Sequence, residues 1–201
     1  MKKKITMVVS LLLVMALSIG GTLAYLTDKT TAVTNTFTVG KVDIELAEPA
    51  GEEIDYSYPI VPGDTYAKDP TITVAKDSEK SYVFVTIVEA ANTITVDDEE
   101  QAIVEWAIAA GWTEIEADGA KVYYQIVEKP TTDAGTSLQV FAGDTEYTTG
   151  KVSINENLTM EVTAQPTITI QAAAIQFANI DDVTEAWDNL PDEFKGSITI
   201  G

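Results

Sequence analysis

Beyond residue 24 the chain alternates apolar and polar positions with a period of two, in runs rich in Val, Ile and Thr. That spacing predicts strands with one face turned inward. Residues 35–46 read Thr36-Phe37-Thr38-Val39 and then Val42-Asp43-Ile44-Glu45-Leu46, with Gly40 at a bulge or bend. Further strands are expected over residues 71–75, 121–128 and 137–141. Residues 81–89 are almost wholly apolar or β-branched, as in a central strand covered on both faces. Residues 158–175 form a long strand-like stretch that Pro166 divides or marks as an edge. Turn signals at Pro49-Ala50-Gly51, Pro62-Gly63-Asp64, Asp118-Gly119 and Gly143-Asp144 punctuate the runs.

Two segments carry a helical pattern instead. Asp97 to Glu100 lead into Ile103, Val104, Ala107 and Ile108, which would share one helical face. Asp97 and Glu100 have the spacing of a capping box. Asp182 and Glu185 repeat that device before Ala186-Trp187, and Pro191 ends the segment. The expected fold is all-β: a jelly-roll-like β-sandwich with two short inserted helices.

The first 24 residues follow another rule. Lys2, Lys3 and Lys4 precede an apolar run over residues 5–19, and Gly20, Gly21, Thr22, Leu23 and Ala24 form a small-residue junction. This is the layout of a signal peptide cut between Ala24 and Tyr25. The apolar run is shorter than the roughly 20 residues that span a bilayer as a helix. The expected organisation is a signal peptide over residues 1–24 and a single β-sandwich domain over residues 25–201, secreted to the cell surface or extracellular matrix.

Composition narrows the function. Of 201 residues, 32 are acidic and 12 basic, all 12 being Lys, and the sequence holds no His and no Cys. Without the three leader lysines the net charge is near −23. Nucleic acid binding needs cationic side chains to neutralise phosphates, so no nucleic acid partner is expected. The absence of His and Cys removes the Ser-His-Asp triad, the HExxH zinc site, thiol nucleophiles and disulfides. The acidic runs Asp97–Glu100 and Asp181-Asp182 lack EF-hand spacing and suit helix capping. Glu52, Glu53 and Asp55 read as a solvated loop. Trp106, Trp112 and Trp187 fit a core better than a sugar platform. No cofactor, no metal site, no catalytic residue and no enzymatic activity are expected.

Residues 25–38 contain no Pro or Gly, only two charges (Asp28 and Lys29), and many Thr. Directly after the cleavage site, such a stretch is either a loose terminus, the first strand of the sandwich, or a donor strand that pairs with an exposed sheet edge of another molecule. The donor would run from Tyr25 to about Asn35, with Tyr25, Leu26, Ala32 and Val33 among its residues.

The junction Gly21-Thr22-Leu23-Ala24-Tyr25-Leu26-Thr27-Asp28 and the run from Asn35 to Ile44 resemble the TasA/camelysin family of exported proteins. The likeness extends through Val61-Pro62-Gly63-Asp64, Lys68-Asp69-Pro70-Thr71 and Ser81 to Val85, and returns at Ala174-Ile175-Gln176 and Glu185-Ala186-Trp187. The resemblance implies processing by a SipW-type signal peptidase. It also implies a jelly-roll subunit of biofilm-matrix fibres that polymerises head to tail with itself, its mature N-terminus completing the neighbour's sheet. A minor fibre-anchoring protein would be a further partner. The camelysin branch offers the alternative of a cell-surface metallopeptidase, whose His-ligated zinc site has no counterpart here. A non-polymerising adhesin or minor fibre component is the other alternative.

Overall fold

The computed structural model describes residues 41–48, 58–96, 98–158 and 165–200. These residues form an all-β sandwich. A central four-stranded antiparallel sheet has the order β13 (Thr167–Gln176), β4 (Ser81–Ala90), β10 (Lys121–Val127) and β8 (Thr113–Ile115). Facing it is a three-stranded sheet ordered β1 (Ile44–Ala47), β3 (Thr71–Val74) and β11 (Thr136–Gln139). A second three-stranded sheet joins β2 (Thr65–Ala67), β12 (Lys151–Ile154) and β7 (Val104–Glu105). Two small ladders complete the set: β5 (Thr93–Val96) with β6 (Glu99–Ala102), and β9 (Ala117–Asp118) with β14 (Thr199–Ile200). Every paired ladder is antiparallel.

β4 is the central strand expected from its composition: its first seven residues are all buried. Its alternation feeds two cores. Val83, Val85 and Ile87 join Ile72, Val74, Tyr123, Leu138, Val140 and Phe141 between the sheets. Tyr82 and Phe84 point the other way, into a second core with Val122, Ala186, Trp187 and Leu190. Both faces are therefore covered, which explains why Tyr123 is buried while Tyr124, on the opposite face, is half-buried against the second core.

Two short helices close that second face: α1 (Val183–Asp188) and α2 (Asp192–Lys195). Asp182 caps α1 by accepting from the Glu185 backbone N–H at 2.9 Å, and Glu185 reaches back to the Asp181 N–H at 2.7 Å. Trp187 then sits edge-on to Phe84 at 5.7 Å and to Phe194 at 5.8 Å. Pro191 ends α1 as expected, and a second helical turn follows it.

The helix expected from Asp97 to Ile108 is not there. Residues 99–102 turn back on β5 as a hairpin, Val104 pairs with Ile154, and Ile108 bridges Phe141. Asp98 takes a positive φ of 67° in the turn, a conformation Asp tolerates. Apolar residues at 103, 104, 107 and 108 satisfy a helical face, yet a short apolar run also suits irregular extended chain. Ile103 is fully buried with Ile154 and Leu158, so tertiary pairing decides. The proposed capping role of Glu100 is likewise replaced by a place in β6; Asp97 lies outside the described residues.

Of the long C-terminal stretch, β13 begins at Thr167, directly after Pro166, and residues 159–164 lie outside the described residues. Strands β2, β5 to β9, β12 and β14 are short and were not expected from the pattern.

Candidate functional site

The expected cleavage pair Ala24–Tyr25 and the expected donor residues Tyr25, Leu26, Ala32 and Val33 lie outside the described residues.

The polar clusters are occupied by structural work. Asn92, 5% exposed, accepts from the Val104 N–H at 2.8 Å and donates to the Val104 carbonyl at 2.9 Å and to Glu89 at 3.0 Å. Trp106 Nε1 donates to the same Glu89 oxygen at 2.7 Å, and Lys121 lies 4.6 Å above the Trp106 ring. Trp112 Nε1 donates to the Gln139 carbonyl at 2.7 Å. Trp106 and Trp112 pack against the main core and Trp187 belongs to the second, so the tryptophans serve packing.

Asp144 accepts from the backbone N–H groups of Glu146 and Tyr147 and from Lys151 Nζ at 2.6 Å. These donors, Lys151 first, lower its pKa from 3.8 to about 2. The result is a pinned loop. Among the described residues no group of three Asp or Glu is placed to hold a metal ion.

The sheet edges differ sharply from one another. β13 is paired along all ten residues with β4 on one side, and no described strand pairs with its other side. Its sequence, Thr-Ile-Thr-Ile-Gln-Ala-Ala-Ala-Ile-Gln, contains no charge, no Pro and no Gly. An edge of that length and composition templates further strand pairing unless something covers it. β1 runs close to β13 across the mouth of the sandwich. Along this seam the core is unfinished: Ile44, Ile168, Ile170, Ala172 and Ala174 pack against buried residues but stay only half-buried. Leu46, on the same edge strand β1, is 38% exposed.

The opposite side of the sandwich has an open groove of about 280 Å³ between the end of β10 and the start of β11. Ile126 is 46% exposed there. Glu128, Lys129 and Pro130 follow it in the groove wall, residues of the kind that discourage strand addition. The inward-facing residues on that side, Val127 and Leu138, are already buried. β8 and β7 are short edges, each carrying a Glu. Among the described strands, β13 is the long, unguarded edge.

Comparison with known proteins adds a likeness over the first part of the chain. Residues 1–75 match the family model described as Camelysin metallo-endopeptidase. The resemblance to the TasA/camelysin family stands. It covers the junction, the segment after Ala24, and the chain through β1, β2 and β3. No curated protein and no solved structure matches significantly. The description implies a metal, and the residues present do not fit a zinc site built on imidazole or thiolate, because the sequence contains no His and no Cys.

The composition of β13 was visible in the sequence: ten uncharged residues in a chain that is 22% charged. Its place at an edge was not, because neighbours in a sheet are set by the fold.

Proposed function

We propose that this chain is a secreted, non-catalytic structural subunit that polymerises into extracellular fibres of a biofilm matrix. Growth is by donor-strand addition, the segment from Tyr25 to Asn35 completing a sheet of the next copy. A SipW-type peptidase would free that segment by cutting after Ala24. The observation that carries the reading is the unguarded edge of β13 beside a core that is unfinished along the same seam. Camelysin likeness over residues 1–75 supports it at the level of the family.

Backbone hydrogen bonds would supply affinity and alternate side chains would fix register. A contact between two different surfaces of the same molecule does not close on itself, and it gives an open filament. Deleting residues 25–35 from the secreted chain should leave a folded, β-rich monomer that forms no fibres in electron micrographs. Normal fibres from the truncated chain would overturn the proposal.

A further inference from the structure

We infer that Asp118 is a site of spontaneous backbone isomerisation, and that its conversion to isoaspartate releases strand β14 from the second core.

The chemistry needs a carboxyl, an unhindered amide nitrogen on the next residue, and a peptide unit free to turn between them. Asp118-Gly119 is the one place in the sequence where Asp or Asn precedes Gly. Asp118 ends β9 and is exposed, and the equally exposed Gly119 opens the bend that leads to β10 at Lys121. Gly119 takes a φ of 82°, and a Cβ placed on it would meet nothing within 4 Å. A residue without a side chain, in open space, lets the adjoining peptide unit rotate. β9 itself is held by a ladder of only two residue pairs. Among the described residues none forms an ion pair or side-chain hydrogen bond with the Asp118 carboxylate.

Other Asp residues lack one of these conditions. Asp77 precedes Ser78, which is fully buried and whose N–H donates to the Ala75 carbonyl at 2.9 Å. Asp188 precedes Asn189, whose N–H donates to the Glu185 carbonyl at 3.1 Å. Asp69 precedes Pro70, which has no N–H to lose.

The Gly119 nitrogen bonds to the Asp118 Cγ, and the carboxyl hydroxyl leaves with the amide proton as water. Water then adds to the main-chain carbonyl of the resulting cyclic imide and breaks that carbon's bond to the Gly119 nitrogen. The main chain now runs through Cβ and Cγ, and the former main-chain carbonyl is a free carboxylate. One water leaves and one returns, so mass is unchanged and no oxidant is needed.

Position decides what the longer main chain does. Asp118 pairs with Thr199 and Ala117 with Ile200, and these are the strand pairs that β14 makes. Adding a methylene to one main chain offsets its register, and register fixes which side chains face inward. Ile198 and Ile200 are half-buried against the second core beside Ala117. They and Trp187 also line a cavity of about 390 Å³ shared by α1, α2 and β14, so the packing there is already open. A two-pair ladder beside such a space has little to hold it once the register is lost.

The full chain, purified and held for weeks in warm neutral buffer, should accept methyl groups from S-adenosylmethionine when protein isoaspartyl methyltransferase is added. The acceptor peptide should contain residues 118–119 at unchanged mass. Hydrogen exchange in the C-terminal peptide that carries β14 should rise severalfold with conversion, while β4 stays protected. Asp118→Glu keeps the charge but would have to close a larger, slower-forming ring; after the same ageing it should accept no methyl and keep β14 protected. Asp118→Asn should convert faster, because its neutral amide can lose ammonia while an ionised carboxylate has no good leaving group. Aged wild type without methyl acceptance, or with acceptance that Asp118→Glu does not reduce, overturns the site. Isoaspartate at position 118 with unchanged exchange in β14 overturns the release of the strand.

Discussion

Asp144 shows how much one exposed carboxylate can organise in a chain so rich in acids. It gathers two backbone N–H groups and Lys151, and its pKa falls to about 2. Because the folded-state value lies below that of the unfolded chain, the stabilisation is fully present above pH ~4. It is lost as pH falls through about 2. Asp144→Asn should therefore lower the unfolding midpoint at neutral pH, with the gap to wild type closing between pH ~4 and ~2. A gap that stays constant across that range would mean the charge is not the cause. The Asn92 cluster works differently. Its value lies in satisfying both backbone groups of Val104 in a buried place, where an unmade hydrogen bond costs about 1–3 kcal/mol.

Among the elements, α1 and the segment 97–108 carry the same sequence signal and meet opposite fates. Both begin with acids at capping-box spacing and continue into apolar residues at helical intervals. In α1 the pattern coincides with a vacant sheet face that Trp187 and Ala186 fill, so local preference and packing agree. Asp182→Ala should cost about 0.5–2 kcal/mol by removing the cap. Denaturant unfolding would measure the loss, and near-ultraviolet circular dichroism from Trp187 should weaken with it. An unchanged stability would show that packing alone holds α1. In residues 98–108, Val104 instead finds partners in β12 and in the Asn92 side chain, and no helix forms. A helix there would leave those groups unpaired.

For the whole molecule, charge and edge pull in opposite directions. An uncharged ten-residue edge invites strand pairing, while a net charge of −20 makes copies repel one another. The repulsion acts over a Debye length of about 10 Å at 0.1 M salt and shrinks as salt rises. On the proposed fibre reading, assembly should therefore quicken with ionic strength, as followed by light scattering at fixed protein concentration. Assembly that slows on adding salt would mean that attraction between charges, not strand pairing, drives the contact.

The sequence alone determined the strand-forming character, the central and doubly covered β4 and the capped α1, because each is written in residues adjacent along the chain. It also removed imidazole and thiol chemistry, since a residue type that is absent cannot be supplied by folding. The tertiary structure decided the rest. Short strands such as β2, β7 and β12 exist only because distant partners pair with them, and no local period marks them. The same holds for the candidate site. That Thr167–Gln176 avoids charge is legible in the sequence, but that it lies at an edge beside half-buried core residues depends on which strands the fold places next to it.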